Sequence, residues 1–259
     1  MVHPASSGWS LGAGVRTTRL FVTIAELEAD RLDLRGSNYR HLVKVLRVEV
    51  GSKALLLDNT GRAREATVVA VSSNEVTLEN NGYVELDTEP KVDVTILQSI
   101  GRGDRFDEVL QHCTEAGATR FVPLVSRRSM VDIPPERVPD RVERWRKIVR
   151  GAAEQSMRTR LPEVTGPMPL DIALQQEVRG EFLILHTVGS RKAIGDVEVT
   201  NGGSVTLAVG PEGGWSGDEV ELAIEAGATP VTLGPRVLRT ETAALVAVTQ
   251  ILFQLDRRR

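Results

Sequence analysis

The chain has 259 residues, 41% hydrophobic and 26% charged, which is long enough for one large or two ordinary globular domains. A formal net charge of −3 argues against coating by nucleic acid but leaves room for a local basic patch. No apolar run nears the roughly 20 residues that cross a bilayer, and no leader pattern opens the chain, so a cytoplasmic protein without membrane contact is expected. The single cysteine, Cys113, has no internal disulfide partner and reads as a buried, inert thiol.

In chain order, Met1 to Thr18 show no periodicity and read as a disordered extension (1–18). Residues 19–86 are strand-rich: Leu20–Thr23, Arg31–Arg35, Ala54–Asp58, Glu65–Val71 and Glu75–Glu79 are short runs, several alternating apolar with polar. Only Ser37–Arg47 has helical spacing there, with Leu42, Val45 and Leu46 on one face and Ser37 placed as N-cap. Five strands and one helix in about 70 residues suggest a small β-barrel.

A polar segment at 87–90, ending in Pro90, reads as a linker to a second domain, 91–259. There the order becomes strand, helix, strand, helix. Val92–Leu97, Phe121–Val125, Glu181–His186, Val205–Val209 and Val231–Leu233 are strands. The helices are Arg105–Ala116, about Pro139–Ser156, Gly217–Ala226 with Ser216 as cap, and about Thr240–Leu255. This alternation predicts a parallel α/β sheet. Glu136 to Arg160 carries eight basic and four acidic residues, a local net of +4, and the chain ends in Arg257, Arg258 and Arg259. The closing helix is apolar around most of its circumference, which points to burial on two sides, one of them against a second subunit.

Two turns stand out. Gly210-Pro-Glu-Gly-Gly214 and Gly234-Pro-Arg-Val-Leu-Arg-Thr-Glu-Thr242 each leave a short apolar strand and enter a helix. Glycines let backbone groups approach a ligand without an intervening Cβ. The first turn alone is also read as a tight connection, since it lacks both the lysine of a phosphate loop and the Gly-x-Gly-x-x-Gly spacing. Two such turns, with His186, at the carboxyl ends of strands point to a ligand site.

These two turns resemble the signature of the ribosomal RNA small subunit methyltransferase E family, and His41–Arg47, Gln98 with Gly101–Arg105, and Glu154–Arg158 with Pro162–Val164 follow in the family's order. The resemblance spans Leu20 to Leu255. It implies a SPOUT-type α/β domain with a deep trefoil knot behind a small N-terminal PUA-like RNA-binding barrel, a homodimer, and S-adenosyl-L-methionine-dependent methylation of uridine N3 in 16S (small-subunit) ribosomal RNA. It further implies that the cofactor lies among Leu185, His186 and Thr187, then Val209, Gly210, Pro211, Glu212, Gly213 and Gly214, then Leu233, Gly234, Pro235, Val237, Leu238 and Arg239. Two departures from the family pattern are the extra Met1 to Thr18 and Asp132 where a basic residue is expected.

Methyl transfer from a sulfonium is an in-line displacement that asks for alignment and removal of the N3 proton, with no metal required. Catalytic candidates are Arg239, Arg236, Glu212 and Glu241. Each has a plainer reading: an ion pair for either arginine, loop shaping for Glu212, and helix capping for Glu241. His186 reads as a strand-end histidine in preference to a base. RNA contacts are sought at Arg40, Lys44 and Arg47, which share a helical strip with His41, and at Arg102, Arg105, Arg127, Arg128, Arg158 and Arg160; a solvated charged face is the alternative, and for Arg158, in the Glu154–Arg158 motif, so is holding loops of the domain in place. Rival functions are a SPOUT enzyme acting on a ribose 2′-hydroxyl or another base, and a non-catalytic RNA-binding assembly factor.

Overall fold

The computed structural model describes residues 18–129, 131, 133–186, 192–199 and 202–256. The extension read at Met1 to Thr18 falls outside them up to residue 17, as do Thr187, Met130, Asp132 and Arg257 to Arg259. The chain divides into two compact units between Leu86 and Asp87.

The first unit contains β1 (Thr18–Phe21), α1 (Ile24–Glu28), β2 (Arg31–Leu34), α2 (Gly36–Tyr39), β3 (Lys53–Leu57), β4 (Ala63–Val71) and β5 (Val76–Val84). Its five strands form one sheet in the order β1-β3-β4-β5-β2, with β1 parallel to β3 and the other neighbours antiparallel. Leu20, Leu32, Leu34, Leu56, Val68 and Leu78 alternate inward and join Leu27 and Leu42 in its core. The β3–β4 turn is built on buried Asp58, which accepts hydrogen bonds from Thr60 N–H and hydroxyl and from Arg62 Nε.

Two local expectations are corrected here. The short helix α1 had no apolar periodicity to announce it, yet Thr23 and Glu26 close a capping box, with Thr23 N–H donating to Glu26 Oε2 at 2.7 Å. The Ser37–Arg47 helix starts a residue early, at Gly36 after Arg35, so Ser37 does not cap it; from Arg40 to Val45 it continues as a π-helix.

The second unit runs β6 (Asp93–Ser99), α3 (Arg105–Ala116), β7 (Arg120–Val125), α4 (Val138–Gln155), β8 (Glu163–Val164), β9 (Met168–Pro169), α5 (Leu170–Gln176), β10 (Glu181–Leu185), β11 (Lys192–Ala193), β12 (Ser204–Val209), α6 (Gly217–Glu225), β13 (Thr229–Thr232) and α7 (Thr240–Asp256). The sheet order is β11-β13-β10-β12-β6-β7-β8, with β9 also on β7, and every pairing is parallel. Both faces are covered. Val94, Ile96, Leu183, Val205 and Leu207 turn to one core with residues of α3, α4 and α7, where Phe106 meets Trp145 edge to face at 4.8 Å. Leu97, Phe182, Ile184 and Ala208 turn to the other with residues of α5 and α6. Two-sided burial explains why these strands read as nearly continuous apolar runs.

Cys113 is fully buried on α3, and burial pushes its thiol well up. The closing helix buries Ala244, Ala247, Val248 and Ile251, while Phe253 is 61% exposed. Within the segment read as a linker, Glu89 is bonded into the second unit: it accepts from Arg158 Nη2 at 2.7 Å and from Thr159 N–H at 2.7 Å. Among the described residues no helix is long and apolar enough to cross a membrane.

Candidate active site at the carboxyl ends of three parallel strands

Because β13, β10 and β12 are parallel neighbours, the segments leaving Leu185, Val209 and Thr232 emerge side by side. Between them lies a cleft of about 580 Å³, of the size that holds a small ligand. Leu185, His186, Val209, Gly210, Pro211, Glu212, Gly213, Gly214, Leu233, Gly234, Val237, Leu238 and Arg239 all line it, together with Arg236. Of the cofactor residues expected from sequence, Thr187 lies outside the described residues and Pro235 is not among the lining residues.

Backbone geometry explains several of the glycines. Gly214 closes a turn through its N–H to the Pro211 carbonyl at 2.8 Å and has φ +67°, and Gly234 has φ +114°, both in the left-handed region. Gly210 answers to a different demand. A Cβ there would sit 3.1 Å from Cε2 and Nε1 of Trp215, tighter than an ordinary contact, so a side chain at 210 would push the indole from its place against the loop. Trp215, buried, also donates Nε1–H to the Leu185 carbonyl at 3.2 Å, which ties the end of β10 to the segment between β12 and α6. Ser216 then caps α6 in a capping box with Glu219, and Glu219 Oε1 accepts the Arg127 N–H at 2.8 Å.

Electrostatics separate the four catalytic candidates. Arg236 and Arg239 line the cleft and are exposed. Glu212 also lines it, but its carboxylate is occupied by Arg105 Nη1 and by the Arg102 N–H at 3.3 Å. Desolvation pushes Glu212 up, and hydrogen bonds from its own backbone, Arg105 and Arg102 outweigh that, leaving it below the ordinary value of 4.5. Arg128 holds the same loop from another side, donating Nη1 to the Gly213 carbonyl at 2.9 Å. Glu241 is not among the lining residues; its Oε2 is buried and finds no hydrogen-bond partner among the described residues.

The basic residues sort as clearly. Arg40, Lys44 and Arg47 are exposed in the first unit, and Arg102 and Arg160 in the second. Arg127 is exposed but paired with Asp218. Arg105 lines the cleft and is paired with Glu212, with its side chain 40% exposed. Arg158 is a correction. It is 3% exposed, held by Glu89 and by the carbonyls of Thr114 and Ala118, and it cannot reach a phosphate. Sequence reasoning missed Trp215, Thr232 and Thr240, which also line the cleft. The position of Trp215 straight after a glycine pair was the available signal.

Residues 88–252 match the family described as RNA methyltransferase domain, and 34–79 match the RNA methyltransferase PUA domain. An α/β unit with a loop-built cleft at its strand ends, in a chain that also carries a PUA-like unit, is thus the architecture of an RNA methyltransferase. Ribosomal RNA small subunit methyltransferase E of Synechocystis sp. is 33% identical, over 92% of this chain and 78% of that one. The crystal structure of a ribosomal RNA small subunit methyltransferase E from Neisseria gonorrhoeae, bound to S-adenosylmethionine, superposes with a TM-score of 0.82 at 34% identity, covering 91% of this chain and 96% of the other. A Legionella pneumophila protein described as a methyltransferase and solved with bound cofactor S-adenosylmethionine gives 0.84 at 33% identity, with the same coverage. The chain belongs to the ribosomal RNA small subunit methyltransferase E family.

Proposed function

We propose that the chain transfers the methyl group of S-adenosylmethionine to N3 of a uridine in 16S (small-subunit) ribosomal RNA. The observation that carries this reading is the convergence of two Gly-Pro loops and the Leu185–His186 strand end on one cleft with arginines at its rim, in a chain of this family. The residues present suit the cofactor. A Cβ at Gly214 or Gly234 would meet nothing within 4 Å, so both glycines border open space that a ligand can fill. Leu185, Val209, Leu233 and Leu238 offer apolar contact to a purine ring, and the surrounding backbone offers donors and acceptors to its edge.

Bound there, S-adenosylmethionine supplies a methyl group on a sulfonium. The chain supplies alignment and charge. Arg239 and Arg236, both lining the cleft, would offset the negative charge left on the uracil ring when N3 gives its proton to solvent water. Glu212 acts by holding the Gly210–Gly214 loop to Arg105 and Arg102. The RNA backbone is held by Arg40, Lys44 and Arg47 on the PUA-like domain (19–86), taken as a barrel, and by Arg102, Arg127, Arg128 and Arg160 on the methyltransferase domain. Family membership adds a deep trefoil knot, a cytoplasmic location and a homodimer to the proposal, the last supported by exposed Phe253 on an otherwise apolar α7.

The test is nucleoside mass spectrometry of unmodified small subunits and of naked ribosomal RNA after incubation with purified protein and S-adenosylmethionine. We expect 3-methyluridine at one site. A methyl group on a ribose hydroxyl or another base would overturn the N3 assignment, and no methylated nucleoside on either substrate would overturn the catalytic one.

A further inference from the structure

Resting on the reading of the cleft as the cofactor site, we propose that Gln98 and Thr240 are positioning residues that lock its two loop-built walls to each other. Gln98 lies near the carboxyl end of β6, in register with Val209 at the end of β12, and is 1% exposed. Its Nε2 donates to Thr240 Oγ1 at 2.9 Å and to the Ser99 carbonyl at 3.1 Å. Thr240, the first residue of α7, hydrogen-bonds the Gly210 carbonyl at 2.6 Å.

Proton accounting fixes the direction of this relay. The Ser99 carbonyl can only accept, so the side of the Gln98 amide facing it is nitrogen. Thr240 accepts from that nitrogen, and its single hydroxyl proton goes to Gly210. Flipping the amide would set oxygen against the Ser99 carbonyl and take the Thr240 proton from Gly210. The arrangement has a cost: Gln98 Oε1 is buried without a partner among the described residues. An apolar side chain of the same size would fill the space without that cost, so packing alone does not account for a glutamine here.

The relay joins the parts that must stay in register for a ligand to fit. Gly210 opens the first glycine loop, and Thr240 ends the second, the loop that carries Arg236 and Arg239. Gln98 sits on a central strand of the sheet and does not line the cleft, so it acts through Thr240 and Gly210. Removing the relay frees one wall from the other while leaving every lining group except the hydroxyl in place.

The experiment compares wild type with Thr240→Val, which keeps the shape and removes both bonds, Gln98→Met, which removes the anchor, and Thr240→Ser, which keeps the hydroxyl. Calorimetry gives the Kd for S-adenosylmethionine, steady-state methylation of unmodified small subunits gives separate KM values for cofactor and RNA, and melting temperatures report on the fold. Thr240→Val and Gln98→Met should raise the cofactor Kd and KM roughly tenfold, the scale of one buried hydrogen bond and its stranded partner, with the RNA KM unchanged. Thr240→Ser should return to within about twofold of wild type. An unchanged cofactor Kd in Thr240→Val, or a loss that Thr240→Ser does not restore, overturns the proposal. Wild-type protein that fails to bind S-adenosylmethionine overturns the reading of the cleft instead, and is a separate result.

Discussion

Arg158→Met separates an RNA contact from a structural cation. The guanidinium is 3% exposed and donates Nε at 3.2 Å and Nη2 at 2.7 Å to Glu89 Oε2, while Nη1 serves the Thr114 carbonyl at 3.2 Å and that of Ala118. Methionine keeps most of the aliphatic volume but leaves Glu89 without its cation and two buried carbonyls without their donor. Breaking one side of a buried pair costs about 3–5 kcal/mol. The Glu89 side chain is 19% exposed, so water meets part of its demand and the lower end applies. In a unit of this size each kcal/mol moves the melting temperature by about 2–4 °C, so about 3 kcal/mol predicts a fall of about 6–12 °C. Thermal melts should be run beside filter binding to ribosomal RNA across a salt series below the melting range. RNA affinity should stay within about twofold, with an unchanged salt slope. A melting temperature that holds while affinity drops and the slope falls by about one would refute the structural assignment and restore Arg158 as a phosphate contact.

Other substitutions probe other joints. At Gly180, φ is +63° and a Cβ would stand 2.0 Å from the Ser204 carbonyl oxygen, so Gly180→Ala should cost about 3 kcal/mol or more in urea denaturation. A midpoint equal to wild type would show that the backbone there moves freely. Gly210→Ala should displace Trp215 and weaken S-adenosylmethionine binding severalfold with a change in tryptophan fluorescence, whereas Gly213→Ala, whose Cβ meets Arg128 Cβ at an ordinary 3.5 Å, should leave the fluorescence unchanged. Equal fluorescence for the two variants would show that Trp215 does not lean on Gly210. Since the Glu212 pKa is depressed below 4.5, the stability its ion pair adds is fully present above that value and is lost as pH falls through the lower folded pKa. Glu212→Gln should therefore abolish that part of the acid loss of stability, and an identical acid profile would count against the pair. Arg239→Ala should lower methyl transfer by about 10²-fold or more with melting temperature unchanged, and turnover near wild type would take Arg239 out of the site.

The parts of the site legible in the sequence were those with local signatures. A strand buried on both faces is an apolar run, and a chain that must turn at its end and pass close to a ligand uses glycine and proline, so Val205–Gly214 and Val231–Pro235 declared both the strands and the cleft. The limits of α3 matched the expected Arg105 and Ala116 because its apolar face has clear helical spacing. Where reading failed, the deciding contact was remote. Arg158 stands in the Glu154–Arg158 motif, which reads equally as an RNA contact or as a holder of loops, and Glu89, 69 positions earlier, makes it a buried anchor. Trp215 owes its place in the cleft to Leu185, 30 positions away, and Thr240 owes its orientation to Gln98, 142 positions away. Such pairings leave no period, because neither partner's neighbours depend on them, and a motif that contains one partner does not name the other. The same distance explains why these residues matter: a cleft assembled from three strand ends needs bonds that run across the sheet, and those bonds join residues far apart in the chain.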